Sequence, residues 1–249
     1  KSLGRRTAWS LTADLWGRLQ YKKLYLEAEG AAIFGSVGEL GVYGDGGYGT
    51  DNVLRKSTLQ IQQLGGLVRG NYKFLRDSLI VGLEVGSGSG PQNGDPRGEL
   101  NFRRAREKPS GLLNTDGLIN LRSSRFTFDP DYHVDMILFR RILGTVYNAT
   151  YMKPSVTYWL IDSFGGQAEF IYSLANKPAV FPGHAINMGA EINARLMYHN
   201  KDEGFYAALE YGVLFDLGAL SQKQEVWNNT FPVDGTTAQA FQAKIMLRF

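Results

Sequence analysis

Apolar and polar residues alternate along most of this chain. Between residues 9 and 21, Trp9, Leu11, Ala13, Leu15, Leu19 and Tyr21 fall on one face, and Ser10, Thr12, Asp14, Arg18 and Gln20 on the other. A strand turns successive side chains to opposite faces while a helix repeats about every 3.6 residues, so this run predicts a long strand. The pattern returns at 185–199, where Ile186, Met188, Ala190, Ile192, Ala194, Leu196 and Tyr198 oppose Asn187, Glu191, Asn193, Arg195 and His199. Further alternating runs at 24–36, 57–74, 78–86, 149–162, 166–175, 204–217 and 238–249 bring the predicted strands to nine.

Runs of this length exceed an ordinary soluble strand and suit a tilted strand crossing a bilayer, which takes about 9–11 residues plus rims. Aromatic residues stand at the ends of outward faces: Trp9 and Tyr21 on one, Tyr198 on another, Phe205 and Phe215 on a third. Girdles at the two membrane interfaces place aromatics in this way. The chain contains no apolar run of about 18 residues, which excludes a helical span. A mean hydropathy of -0.23 is compatible with strands that are apolar on one face only. The expected fold is therefore all-β, an antiparallel transmembrane β-barrel with long extracellular loops, occupying residues 1–249 as one domain. A soluble sandwich of aromatic-rich strands is the alternative.

The last strand places Phe241, Ala243, Ile245, Leu247 and Phe249 on one face and Gln242, Lys244 and Arg248 on the other. This strand resembles the C-terminal β-signal of Gram-negative outer-membrane proteins, an alternating strand ending on an aromatic. The resemblance implies a bacterial outer-membrane location, contact with outer-membrane lipid, and recognition by the barrel-assembly machinery through Phe241, Ile245, Leu247 and Phe249. The wider pattern, including the stretch FDPDYHVDMILFRRILG, is similar to uncharacterised outer-membrane barrel families.

Loop lengths fit the same reading, since such barrels alternate short periplasmic turns with long external loops. Counting back from the C-terminus, 218–237 is long, 200–203 short, 176–184 longer and 163–165 short. Upstream, 87–148 is very long, 75–77 short, 35–56 long and 22–23 short. The rule holds throughout if 87–148 is one external excursion and the first strand runs inward. Nine strands are an odd number, whereas bacterial barrels have an even one, so the reading expects one or more further strands upstream.

Residues 124–144 admit two readings. As a strand, Phe126, Phe128, Tyr132, Val134 and Met136 oppose Asp129, Asp131, His133 and Asp135. As a helix over about 131–143, Val134, Ile137, Leu138 and Ile142 share a face, Asp131 and Asp135 occupy the first turn, Arg140 and Arg141 the last, and Gly144 follows as a C-cap. Loop parity favours the helix, which could fold over or into the lumen and narrow it.

Inward positions of the predicted strands carry Asp14, Glu27, Glu29, Glu84, Glu169, Glu191, Glu210 and Asp216 with Arg18, Arg69, Lys73, Lys153, Arg195, Lys244 and Arg248. Such a near-neutral polar lining suits a hydrated or hydrogen-bonded interior, the charges either bracing the wall across strands or selecting solutes. The extended form of 124–138 would align three aspartates and a histidine as hard ligands for a divalent cation, but the helical form uses the same acids for capping. No metal or other cofactor is expected. With His133, His184 and His199 the only histidines and no cysteine, no nucleophile motif emerges. The glycine clusters at 44–49 and 86–90 lack the strand-then-helix setting of phosphate loops and read as loop tips. Lys and Arg number 27 against 24 Asp and Glu without a basic block, so nucleic-acid binding gains no support. The leading expectation is a porin-like channel for small hydrophilic solutes, not an enzyme. The rivals are a plugged structural barrel anchoring a surface or periplasmic assembly, and an outer-membrane hydrolase using His133 with Asp131 or Asp135.

Overall fold

A computed structural model describes residues 7–43, 54–91, 121–200, 204–221 and 237–247. Nine long strands form one antiparallel sheet in sequence order: β1 (Ala8–Tyr21), β2 (Leu24–Tyr43), β3 (Leu54–Phe74), β4 (Leu79–Gly88), β6 (Ala149–Ile161), β7 (Phe164–Ala175), β8 (Asn187–Asn200), β9 (Phe205–Asp216) and β10 (Ala238–Leu247). A short β5 (Leu121–Ser123) runs parallel to β3 at Leu59–Ile61, beyond the point where β4 ends. The all-β antiparallel architecture expected from the alternation is present, and among the described residues no helix is long and apolar enough to cross a membrane.

Each alternating run became a strand because its two faces meet different surroundings. Leu11, Leu15, Leu64, Val68, Leu83, Val156, Leu196 and Leu209 are exposed on the outer face, while Glu84, Glu191, Asn193 and Glu210 are buried on the inner one. This is the reverse of a soluble sheet. Aromatics cluster at the end carrying the short turns: Tyr21, Tyr72, Phe74, Tyr158, Phe164 and Tyr198 lie at or next to the paired strand ends there. Lys22, with φ of +53°, shapes the two-residue β1–β2 turn.

Two expectations need correction. Met188 was placed on the outer face, but a register shift between Ser173 and Leu174, opposite Gly189 and Asn187, turns it inward and leaves it 0% exposed. β2 and β3 also run further than 24–36 and 57–74, pairing with each other as far as Tyr43 and Leu54. β1 pairs only with β2, and β10 only with β9, among the described residues.

The core lies inside the curve of the sheet. Residues 124–148, here the inserted segment, leave β5 beside β3 and cross to the opposite wall. Phe128, Val134, Met136, Ile137, Leu138, Phe139 and Val146 pack there against Tyr151, Ile171, Met188, Leu214 and Ala240 from β6–β10. Phe181 from the β7–β8 connection joins the same cluster.

Candidate functional site: a barred lumen

The inserted segment is anchored at both ends by hydrogen bonds. At its start, Phe126 N–H donates to Ser89 O (3.0 Å), Ser89 Oγ donates to Ser124 O (2.6 Å), and Ser124 Oγ donates to Gly90 O (3.0 Å). At its end, the Asn148 side chain takes Lys177 N–H (2.9 Å) and donates to Lys177 O (3.0 Å), while Asn176 Nδ2 donates to Gly88 O (2.8 Å).

Between the anchors, glycines on the inner wall leave room for the segment and its neighbours. The Phe126 ring covers Gly65 on β3, where any Cβ would collide with it. On β9, a Cβ at Gly212 would come within 3.2 Å of Met136. On β4, Gly86 accommodates the Tyr151 ring, which in turn packs on Phe139 with centroids 5.9 Å apart. Phe126, Phe128 and Tyr132 form a chain of ring contacts with centroid separations of 5.9 and 6.1 Å. The Arg140 guanidinium then donates to Gln242 on β10 (3.4 Å). The segment therefore spans the lumen from β3 to β10.

Two carboxylates hold its central turn. Glu191 on β8, 1% exposed, accepts the backbone N–H groups of Met136 (2.8 Å), Ile137 (3.1 Å) and Leu138 (3.0 Å). Asp135 accepts those of Phe139 (2.9 Å) and Arg140 (3.1 Å). Five consecutive N–H groups thus meet carboxyl oxygens, satisfying the donors that the start of a helical turn leaves open. Burial, with the Glu191 charge nearby, pushes the Asp135 carboxyl up to about 7. Lys153 on β6 lies 3.3 Å from Glu84 and donates to Val134 O (3.3 Å), joining wall to segment.

The turn is not the α-helix expected over 131–143. Leu138–Leu143 is a single π-type turn, with Ile142 N–H bonded to Ile137 O (3.1 Å), and Gly144 ends it at φ +82°. The C-cap and the position of the two arginines were read correctly, but residues 131–137 are irregular because Glu191 supplies from the wall the acceptor that an earlier helical turn would have provided. Asp129, Asp131, His133 and Asp135 do not form a ligand face: Asp135 is buried and turned to the backbone, while Asp129 accepts Asp131 N–H (2.9 Å). No group of metal-ligating residues occurs among the described residues.

Among the described residues, the charged residues expected in the lumen occupy inner-face positions of their strands. Five of them stand directly opposite one another across adjacent strands, Arg18 to Glu27 to Arg69 to Glu84 to Lys153, alternating in sign. The Glu27 carboxylate accepts from Arg69 Nη2 (2.8 Å), Trp16 Nε1 (3.0 Å) and Tyr25 Oη. Tyr151 donates to Glu84 (2.7 Å). Across the lumen, Glu210 binds both Arg195 (2.6 Å) and Lys244 (2.8 Å), Arg195 donates to Gln167 (3.0 Å), and Gln167 donates to Glu169 (3.2 Å). Asp14 and Glu29 face inward near the β1 edge without an ion-pair partner among the described residues. Asp216 caps the following loop instead, accepting from Gly218 N–H (3.1 Å) and Ser221 Oγ (2.6 Å).

Beside the inserted segment remains a cavity of about 840 Å³, lined by Asp14, Ala31, Gly65, Ser87, Asn176 and Lys177. It runs along β1–β3 and reaches Ser87 on β4 and the 176–177 connection. Phe241, Ile245 and Leu247 point outward, 67%, 73% and 58% exposed. Phe249, Arg248 and the 44–49 glycine cluster lie outside the described residues.

The segment was recognised in the sequence as a constriction, but its seat was not. Gly65, Gly86 and Gly212 are the signal for it, glycines at inward positions of otherwise regular strands, which mark a close approach from the other side.

No protein-family model matches the chain, and no curated protein matches it. Among solved structures it is similar to a NanC porin, with 10% identity, a TM-score of 0.39 and coverage of 98% of both chains. It is also similar to the outer-membrane expressed OmpT of Vibrio cholerae, with 11% identity, a TM-score of 0.39, and coverage of 94% of this chain and 56% of that one.

Proposed function

We propose that the chain is an outer-membrane β-barrel that passes small hydrophilic solutes through a lumen narrowed by its own inserted segment. The observation that carries this reading is the inversion of the sheet: an exposed apolar outer face around a charged inner face, with one segment barring part of the interior. In hydrocarbon every backbone group needs a partner, which an antiparallel sheet closing on itself supplies. The cavity along β1–β3 is the route left open, and Asp14, Ser87, Asn176 and Lys177 place polar groups in its otherwise largely apolar lining. Contact with outer-membrane lipid and recognition of β10 by the barrel-assembly machinery belong to the same proposal.

A plugged barrel serving as an anchor is the second reading, favoured by the apolar packing of Leu138 and Phe139, 1% and 2% exposed, on the inner wall. Conductance of the detergent-purified protein in a planar bilayer separates the two. Steady steps that enlarge when residues 130–142 are replaced by a short Gly-Ser linker support the channel. A folded barrel that stays silent even after that replacement overturns it.

A further inference from the structure

We propose that the inserted segment is a proton-responsive gate, seated by the Asp135 and Glu191 carboxylates in acid and loosened when both carry charge. Two carboxylates from different elements converge on one turn, and between them they hold every backbone N–H from Met136 to Arg140. One anion and one neutral acid can share these donors. Two anions in a space closed to water repel each other, and the cost of burying the second is large.

The other charges facing the pair do not cancel it. Lys153 is the cation nearest on β6, but it is shared with Glu84 on β4 and lies within the field of Glu169 on β7. The charges next along β8 and β9, Arg195 and Glu210, bind each other, with Lys244 of β10 on the same carboxylate. Arg140 adjoins Asp135 through its backbone, while its guanidinium turns away to Gln242.

The sign follows from Asp135. Its carboxyl is raised from 3.8 to about 7, so across that window the seated form binds more protons than the unseated one. Seating is strongest below the window and weakens as pH rises through it. The seat's response to protons rests on the two carboxyl groups that converge on one turn, whereas its consequence for permeation rests on the channel reading above.

Hydrogen exchange of the full chain in detergent, normalised to the intrinsic rate at each pH, reads the seat directly. Protection of the 136–140 amides is expected to fall at least about tenfold between about pH 5.5 and about pH 8.5. Asp135→Asn should keep them protected at both values, and Glu191→Gln, by removing the opposing charge, should move the transition to lower pH. Protection independent of pH in the native protein, or an unchanged response in Asp135→Asn, overturns the gate. Bilayer conductance on the same samples separates this from the channel reading. Exchange that follows pH without conductance at any pH supports the proton-responsive seat and overturns the channel. Conductance that follows pH equally in Asp135→Asn supports the channel and overturns the gate.

Discussion

The Phe126 ring occupies the space that a side chain at Gly65 would fill, and the same glycine lines the cavity that runs past the inserted segment. The ring therefore rests on a residue that lines the remaining passage. Phe126→Ala should merge the vacated volume with that cavity and raise single-channel conductance. Gly65→Val should push the ring into the passage and lower conductance, with a packing cost of about 1–3 kcal/mol. Equal conductance in both variants would remove the ring from the pathway.

The Glu84–Lys153 pair is the most enclosed link of the alternating ladder, with side chains 9% and 13% exposed. Lys153→Met leaves the Glu84 charge without its cation and removes the bond to Val134 O, which should lower unfolding stability in detergent by about 3–5 kcal/mol. Adding Glu84→Gln removes the stranded charge and should recover most of that loss. A double variant as unstable as the single one would mean that the contact to Val134, rather than the pair, carries the effect.

The division between what was legible in the sequence and what was not follows a physical line. Alternation reports which face each residue takes, and that face is set locally by the pleat, so the nine long strands and the inward positions of Arg18, Glu27, Arg69 and Glu84 could be read directly. Met188 escaped because a bulge shifts phase with no mark in the residue pattern. The seat of the inserted segment escaped because it depends on contacts between residues 55 positions apart, as between Met136 and Glu191. Local propensity favoured a helix from 131, and the tertiary partner shortened it.

The outer face tests the membrane reading. Leu209 lies mid-strand on β9 and is 50% exposed. Leu209→Arg should reduce folding into lipid vesicles by about 2–4 kcal/mol, the cost of a cation near the bilayer midplane. Thr12→Arg, on the inner face of β1, should change folding little. The opposite ranking, or a protein that stays monomeric in buffer without detergent, would favour the soluble sandwich.

Charge selectivity follows from where the passage runs. Glu191 and Arg195 are among the inward charges read from the sequence, yet Glu191 lies beneath the inserted segment and Arg195 is held by Glu210 and Gln167 on the β7–β10 wall. Arg69 stands on β3, the strand whose Gly65 lines the cavity, and its side chain is 39% exposed. Arg69→Glu changes the charge there by two units and sets it against Glu27 and Glu84, leaving that wall acidic. Reversal potentials in a salt gradient should shift toward cation preference in Arg69→Glu, and by much less in Arg195→Gln. A larger shift in Arg195→Gln would place the conducting route along β7–β10, which requires the inserted segment to move aside during conduction.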